Sequence, residues 1–425
     1  MKRVVILGGG FGGVATARAL KGIEAEVLLI DRRNHHIFQP LLYQVATAVL
    51  APSEVASPIR QLAQKQPNLS VLMAEVTGVD LAARHVHVSP PSLADRSIDF
   101  DYLIVATGVR PTYFGHDDFA AHAPALKTLA DAEAIRARIL SAYELAEQTD
   151  DPAVRARALT FVLVGAGPTG VELAASIAQM ARVTLRSNFR RIDPNGTRVL
   201  LLEAAGRVLP TFAESLAKKA AARLQAIGVE VKPGVMVERV DAQGVIVAGE
   251  RIESDTVLWT AGVQGSSVIE HLNANTDRAG RASVGPSLSL ADQPPVYVIG
   301  DAASVLQDGR PLPGVAQVAI QQGRFVGRSI AAQISSRPNP KSFRYRDRGN
   351  MAVVGKNFAV LERGTLRLSG FTIWVVWAFV HVMFLPQGQN RLRVQMQWLW
   401  SYITGQRSSR LIPETRAELA IKPAP

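Results

Sequence analysis

Two glycine-rich turns contain the residues best suited to chemistry in this 425-residue chain. The first is Gly8–Gly13 (GGGFGG), after the apolar run Val4–Leu7, and the second is Gly165–Gly170 (GAGPTG), after Phe161–Val164. Each has the spacing G-x-G-x-x-G between a predicted strand and a predicted helix, which lets a pyrophosphate approach the backbone. The N-terminus of the helix then offers free N–H groups to the phosphates. Two such turns predict two bound dinucleotides and electron transfer between them, whereas the alternative for each is a strand–helix corner without a ligand.

An acid follows each turn at the end of the next predicted strand. Asp31 lies 18 residues past Gly13, and Glu203 lies 33 residues past Gly170. The second spacing exceeds the usual value of about 20 residues, and we assign the extra length to a longer helix and loop over the polar stretch 182–196. Both acids are expected to hydrogen-bond an adenosine ribose, and an acid at this position disfavours a 2′-phosphate.

Further polar residues occupy places where they could contact a ligand. Glu172 lies in the first turn of the second predicted dinucleotide helix, where an acid interacts favourably with the helix dipole. Gln317 and Gln321 lie four residues apart and therefore share one face of a predicted helix. Asp301 follows a buried strand and suits the ribityl hydroxyls of a flavin, although an acid there also caps a helix.

Composition limits the classes of protein to which the chain can belong. Its length predicts more than one domain, and 48% hydrophobic with 20% charged residues is typical of globular proteins. With no cysteine, disulfide reductases, iron–sulfur clusters and cysteine nucleophiles are excluded. His35, His36 and His381 show no ligand pattern, so no metal site is predicted. A strand begins within four residues of Met1, which leaves no room for a signal peptide and predicts a location on the cytoplasmic side.

The order of predicted strands and helices indicates an α/β fold with two Rossmann-like dinucleotide-binding domains. The strand that enters Thr260-Ala261-Gly262 repeats the pattern of the strand that enters Thr107-Gly108, which supports duplication of one module. The predicted domains are a first domain over 1–118 and 290–340, a second over 119–289, and a C-terminal membrane-associated helical module over 341–425.

The C-terminal module combines positive charge with apolar helices. It has thirteen lysines and arginines against four acids, which is most of the net charge of +11. The apolar stretch Phe371–Leu385 is shorter than the roughly 20 residues that cross a bilayer, and a second helix is predicted over Arg391–Thr404. Arginine-flanked apolar and indole residues favour a membrane surface. Nucleic acid is excluded as a partner, because basic residues that bind nucleic acid would line a solvated groove and would not flank so apolar a stretch. The side chains expected in the lipid interface are Trp374, Trp377, Phe379, Phe384, Trp398 and Trp400, with arginines meeting lipid phosphates, unless the hairpin packs on the protein's own core or in a dimer.

The whole chain resembles the type II NADH:quinone dehydrogenases. The segments that show the resemblance are GGGFGG at 8–13, HIFQPLLYQ at 36–44, GAGPTGVELA at 165–174, VLWTAGV at 257–263, IGDAA at 299–303, AQVAIQQG at 316–323 and NRLRVQMQWLWSY at 390–402. The glycine turns alone would fit any flavoprotein with two dinucleotides, and the run at 316–323 is the most specific segment.

The resemblance implies FAD in the first domain, NADH as the substrate in the second, and a membrane quinone as the acceptor. The implied flavin contacts are Gly8, Gly10, Gly13, Asp31, Gln44, Val76, Thr107, Gly108, Asp301 and Gln317. The implied NADH contacts are Gly165, Gly167, Gly170, Glu172, Glu203 and Gly262. The implied catalytic residues are Glu172, Gln317 and Gln321. Glu172 would face the nicotinamide–flavin junction, unless it only interacts with the helix dipole. The amides of the two glutamines would bond a quinone carbonyl or the flavin, unless they simply join two domains. Some members place a lysine near the quinone, a role with no counterpart in 371–385, where this sequence has none.

The resemblance also implies a reaction and a location. NADH would pass hydride to the flavin and the flavin would pass electrons to quinone without proton pumping, with the protein supplying orientation and electrostatics. The enzyme would lie peripherally on the cytoplasmic face of the inner (plasma) membrane, on an anionic lipid surface, with a homodimer compatible with the C-terminal hairpin. The alternatives are a soluble NADH-dependent reductase of a ferredoxin or rubredoxin, and an NADH-sensing flavoprotein that acts through a partner.

Overall fold

The computed structural model describes residues 1–290, 295–340 and 342–412, and these form two compact units. Residues 291–294, 341 and 413–425 of the predicted domains lie outside the described residues. The first unit consists of Met1–His36, Ala56–Arg110 and Val263–Arg348. The second unit consists of Ile37–Val55, Pro111–Gly262 and the described chain from Gly349 onward.

The first unit is built on a five-stranded parallel sheet. Its strand order is Val296–Val298, Tyr102–Val105, Lys2–Leu7, Ala25–Asp31 and Leu69–Met73. Residues 4 to 7 of the central strand are fully buried, as expected for a parallel strand covered on both faces. The other strands of this unit include the antiparallel sheet Glu75–Asp80, His85–Ser89 and Arg96–Asp99, and the short Ala56–Pro58, Ala282–Ser283, Ala303–Ser304, Leu306–Gln307 and Arg310–Pro311. Its helices are Phe11–Ala19, Ile59–Ala63, Ser267–Leu272, Gly300–Ala302 and Ala316–Ile334.

The second unit repeats the parallel plan and adds helices. Its four-stranded parallel sheet has the order Val229–Pro233, Arg198–Glu203, Thr160–Val164 and Thr256–Trp259. Two antiparallel sheets accompany it, Val237–Asp241 with Gly244–Val247 and Glu250–Glu253, and Asn350–Val353 with Ala359–Arg363 and Leu366–Gly370. Its helices are Gln39–Leu41, Leu42–Ala46, Pro52–Val55, Asp117–Ala121, Leu129–Gln148, Pro152–Ala158, Pro168–Gln179, Met180–Thr184, Pro194–Gly196, Glu214–Ala226, Phe371–Phe384 and Gly388–Thr404.

Local sequence signals account for several of these elements. The helix Leu129–Gln148 starts at a capping box, in which Thr128 and Asp131 satisfy each other's backbone N–H groups. Asp151 caps the next helix, whose first residue is a proline, where the missing N–H costs nothing. The predicted fold class, two dinucleotide-binding α/β folds with a helical C-terminal part, is confirmed.

The compact units differ from the predicted domains at every boundary. Residues 263–289 belong with the first unit because Val268, Ile269 and Leu272 pack into its apolar core. Residues 37–55 and the chain after 349 belong with the second unit, and hydrogen bonds described below connect them. The boundaries of the compact units depend on contacts between residues distant in sequence, and local sequence patterns do not reveal such contacts.

Candidate active site

The first glycine turn is shaped by close backbone approach. Gly8 has φ +103°, in the left-handed region, and a Cβ there would strike the backbone carbonyl of Ala106. A Cβ on Gly13 would strike the carbonyl oxygen of Gly8, whereas nothing lies within 4 Å of one on Gly10. The turn therefore packs tightly on its own sheet and leaves open space at the helix N-terminus, where a pyrophosphate fits.

The second turn has the same construction in the second unit. Gly165 has φ +101°, a Cβ on Gly170 would strike the carbonyl oxygen of Gly165, and the space at Gly167 is open. Register also matches: Leu7 lies opposite Ile30 in the first sheet, as Val164 lies opposite Leu202 in the second. Both turns fit a dinucleotide for the same physical reasons.

The two acids occupy equivalent positions despite their different spacing. Asp31 accepts hydrogen bonds from the backbone N–H groups of Gly9 at 2.7 Å and Arg33 at 2.8 Å. Glu203 accepts them from Ala166 at 2.6 Å and Ala205 at 2.8 Å. Each carboxylate thus fixes the residue after the first glycine of its turn, and its remaining lone pairs can accept ribose hydroxyls. The 33-residue spacing is absorbed by helical turns at Met180–Thr184 and Pro194–Gly196 and the loop that joins them.

The first unit contains most of the predicted flavin contacts. The Thr107 hydroxyl lies 2.5 Å from the Ser266 hydroxyl, and Gly108 has φ +69°. Val76 lies in the strand Glu75–Asp80. Asp301 lies in the short helix Gly300–Ala302, beside Gly314. The structure brings these residues into the unit that carries the first turn.

The glutamines of helix Ala316–Ile334 have three different environments. Gln321 donates to the backbone carbonyl of Arg346 and accepts from its N–H, both at 3.0 Å. Gln322, which was not predicted as a site residue, is buried, and its side-chain oxygen accepts a hydrogen bond from the N–H of Gly300 at 2.7 Å. Gln317 is half-buried, and its amide makes no hydrogen bond within the described residues. Gln317 is therefore the glutamine whose amide can turn to a ligand without losing a bond.

Gln44 lies in the second unit and connects two helices. Its side-chain oxygen accepts from the indole N–H of Trp398 at 2.7 Å, and its NH₂ group donates to the Tyr43 hydroxyl at 3.0 Å. Both Tyr43 and Gln44 are buried. Tyr43 was not predicted as a site residue, although it directly precedes Gln44, and no local signal predicts its link through Gln44 to Trp398, 354 residues from Gln44.

Glu172 is a partly buried carboxyl in helix Pro168–Gln179. It accepts one hydrogen bond, from the N–H of Val353 at 3.3 Å. Burial raises the pKa of Glu172 to about 8, against the smaller lowering by that hydrogen bond. The carboxyl is therefore mostly protonated at pH 7 and can hold or release a proton near neutrality.

Gly262, the remaining predicted NADH contact, follows the strand Thr256–Trp259 with φ +71°. The ring of Phe114 covers it closely enough that a Cβ would clash. Phe114 itself is 66% exposed. The Gly262 turn is therefore restricted to glycine by both its backbone and its neighbour.

The C-terminal helices Phe371–Phe384 and Gly388–Thr404, here called the docking helices, expose a large apolar surface. Its most exposed members are Ile403 at 72%, Phe379 at 65%, Leu392 at 62% and Trp400 at 59%. No helix among the described residues is long and apolar enough to cross a membrane. The surface has the composition of an interfacial helix pair.

Two side chains expected at the lipid interface, Trp377 and Arg407, are buried, and a third, Trp398, is half-buried. Trp377 is 3% exposed and stacks on Trp398, whose N–H is bonded to Gln44 as described above. Arg407 is buried and donates to the carbonyl oxygens of Thr47 at 2.7 Å and Ser176 at 3.0 Å. The expectation that Trp377 and Arg407 face lipid is wrong, because both are buried among partners within the second unit, whereas Trp398 keeps part of its surface exposed.

Comparison with known proteins agrees with this construction. A family model described as pyridine nucleotide-disulphide oxidoreductase matches residues 2–323. The chain is 43% identical to the type II NADH:quinone oxidoreductase Ndh of Mycobacterium tuberculosis, over 98% of this chain and 91% of the relative. It is 41% identical to NdhA of the same organism, over 94% and 87%. NDH2 from Plasmodium falciparum, solved in complex with NADH, shares the fold with a TM-score of 0.88 at 18% identity, over 96% of this chain and 99% of that one.

Proposed function

The chain belongs to the pyridine nucleotide-disulphide oxidoreductase family and, within it, to the type II NADH:quinone oxidoreductases, and we propose that the residues described above serve that reaction. It is an FAD-dependent enzyme that passes electrons from NADH to a quinone. The observation that carries this conclusion is the presence of two equivalent turn–acid constructions in one chain that is related over nearly its whole length to enzymes of this name.

Residues of the first unit fit FAD. The open space at Gly10 admits a pyrophosphate, Asp31 accepts ribose hydroxyls, and Asp301 stands where an acid accepts those of a ribityl chain. Bound FAD supplies the two-electron chemistry that connects a nicotinamide to a quinone. We accordingly propose the predicted contacts Gly8, Gly10, Gly13, Asp31, Gln44, Val76, Thr107, Gly108, Asp301 and Gln317 for the flavin, and the predicted first domain as its main site.

The second turn and Glu203 hold the NADH. Glu203 presents a carboxylate to the adenosine ribose, and a 2′-phosphate there would be repelled. Arg207, the cation nearest in sequence, is directed to the carbonyl oxygens of Pro210 and Phe212. This favours NADH over NADPH. The proposed contacts are Gly165, Gly167, Gly170, Glu172, Glu203 and Gly262.

Gln317 and Glu172 are the proposed reactive side chains. The amide of Gln317 is available to a quinone carbonyl, whereas Gln321 acts by holding the backbone at Arg346. Glu172, with its pKa of about 8, can keep a proton close to the reacting groups at neutral pH.

The docking helices hold the enzyme on the membrane without crossing it. We propose that their exposed apolar surface enters the interface on the cytoplasmic face and that exposed cations such as Arg393 meet anionic headgroups. The alternative is a homodimer in which two copies of the chain bury this apolar surface against each other. Liposome flotation, with sedimentation of the lipid-free protein in detergent, distinguishes the two uses.

The activity itself is tested on purified protein. We expect a yellow protein with one FAD that oxidises NADH with short-chain ubiquinone or menaquinone analogues as acceptors. A colourless protein that stays inactive after FAD is supplied contradicts the proposal. Faster electron transfer to a ferredoxin or rubredoxin would favour a soluble reductase, and a stable reduced protein that quinones reoxidise slowly would favour an NADH sensor.

A further inference from the structure

Two buried side chains, Tyr43 and Gln44, and the half-buried Trp398 form a hydrogen-bonded chain in the second unit, and the direction of this chain is fixed. The indole N–H of Trp398 can only donate, so the group of Gln44 that faces it at 2.7 Å must be the oxygen. The NH₂ group of Gln44 then points to the Tyr43 hydroxyl at 3.0 Å and donates to its oxygen. Trp398 therefore determines that Tyr43 receives a hydrogen bond from Gln44 rather than giving one.

This direction leaves the hydroxyl proton of Tyr43 to be donated elsewhere. Burial, together with the nearby Glu172 carboxyl, raises the pKa of Tyr43 well above its ordinary value, so the hydroxyl keeps its proton. Tyr43 is 6% exposed, and within the described residues its hydroxyl donates no hydrogen bond. The adjacent Thr47 hydroxyl bonds the backbone carbonyl of Tyr43, and Glu172 bonds Val353. Buried donors are almost always paired in native proteins, which indicates an acceptor outside the chain.

We propose that Tyr43 donates this hydrogen bond to a carbonyl oxygen of the quinone or of the flavin, and that Trp398 is a positioning residue that acts through Gln44. The quinone source rests on the proposed function. A neutral carbonyl suits the site because a buried tyrosine donates to it without any change of charge. Trp398 also lies on a docking helix. A change in the position of that helix when it contacts lipid would therefore change the hydrogen bond to Gln44 and, through it, the orientation of the Tyr43 hydroxyl.

Two conservative variants separate the roles. Tyr43→Phe removes the hydroxyl alone, and Trp398→Phe removes the N–H but keeps a ring for the stack with Trp377. In stopped flow we expect Tyr43→Phe to slow reoxidation by a short-chain quinone about tenfold, the value of one hydrogen bond, with flavin reduction by NADH changed less than about twofold. Trp398→Phe should show a smaller loss in the same half-reaction. Because Trp398 acts through Tyr43, the double variant should be no slower than Tyr43→Phe.

Trp377→Phe is the matched control. The indole nitrogen of Trp377 is buried without a hydrogen-bond partner in the described structure, so the change removes an N–H that bonds nothing. It should leave both half-reactions at the parent rates. A loss equal to that of Trp398→Phe would show that ring packing, and not the hydrogen bond, is the cause, and would overturn the assignment of Trp398.

Binding and spectra distinguish the two carbonyl sources. If the quinone is the acceptor, Tyr43→Phe should weaken a non-reducible quinone analogue about tenfold and leave the flavin absorbance unchanged. If the flavin is the acceptor, its absorbance maxima should shift in the absence of quinone while analogue affinity is kept. No change in either, or losses that multiply in the double variant, would overturn the proposal. Failure of the parent itself to reduce quinones would refute the proposed function, and the absorbance shift would still report on Tyr43.

Discussion

Replacement of Glu172 by glutamine should make the enzyme more stable at alkaline pH, and the gain should grow across the neutral range. The pKa of this carboxyl is raised by burial from 4.5 to about 8 in the folded protein. The folded state therefore holds the proton more tightly than the unfolded state, and the free energy of unfolding falls as pH rises from about 4.5 to about 8. Above pH 8 the full cost of the buried charge is present.

The magnitude follows from the same interval. Each unit of pKa difference corresponds to about 1.4 kcal/mol, so the rise from 4.5 to about 8 sets an upper limit of about 5 kcal/mol. Glu172 is only partly buried, and contact with water reduces the effect. We expect Glu172→Gln to be more stable than the parent by about 2–3 kcal/mol at pH 9 and nearly equal to it at pH 5.

Urea unfolding of the FAD-loaded enzyme between pH 5 and pH 9 measures this difference. Glu250→Gln is the control, since Glu250 lies exposed on the hairpin Gly244–Glu253 and its replacement should follow the parent at every pH. Parallel curves for Glu172→Gln and the parent would refute the reasoning, because they would mean that the carboxyl is equally ionised in the folded and unfolded states.

Three other results are expected. The kcat/KM for NADH should exceed that for NADPH, and Glu203→Ala should lower the ratio of the NADH value to the NADPH value by about tenfold or more. Equal values for the two nucleotides in the parent enzyme would contradict the role of Glu203. Gln317→Ala should slow flavin reoxidation by quinone with unchanged reduction by NADH in stopped flow, whereas Gln321→Ala, which loses two backbone hydrogen bonds, should lower stability by about 1–3 kcal/mol. The double variant Phe379→Glu/Ile403→Glu should no longer float with liposomes but should still oxidise NADH with a water-soluble quinone. Continued flotation would mean that this apolar surface is not the part of the protein that binds the membrane.

Because Arg407 is buried, truncation of the C-terminal helices would be an ambiguous test of what their exposed surface does. Burial lowers the pKa of its guanidinium to about 10, and its two bonds to carbonyl oxygens hold the end of the docking helices to the residues around Thr47 and Ser176. Truncation from residue 370 would remove this contact and the partner of Gln44 together with the exposed apolar surface. Surface substitutions avoid that ambiguity, because Phe379 and Ile403 are exposed.

Features that depend only on neighbouring residues could be predicted from the sequence alone. A glycine turn needs only its own backbone and the strand and helix beside it, so GGGFGG and GAGPTG predict their geometry directly. The acid at the end of the next strand follows from the same local plan, and Glu203 reaches its place although its spacing is long. The docking helices were visible as well, since apolar periodicity is a local property.

Tertiary structure decided which side chains face inward. Arginines and tryptophans near a docking surface look alike in sequence, yet Arg407 and Trp398 bond buried groups 360 and 354 residues away, while Trp400 is exposed. The same holds for Gln321, whose amide is occupied by Arg346. A hydrogen bond between distant segments leaves no periodicity in either one, because it depends only on where the fold brings two atoms within about 3 Å.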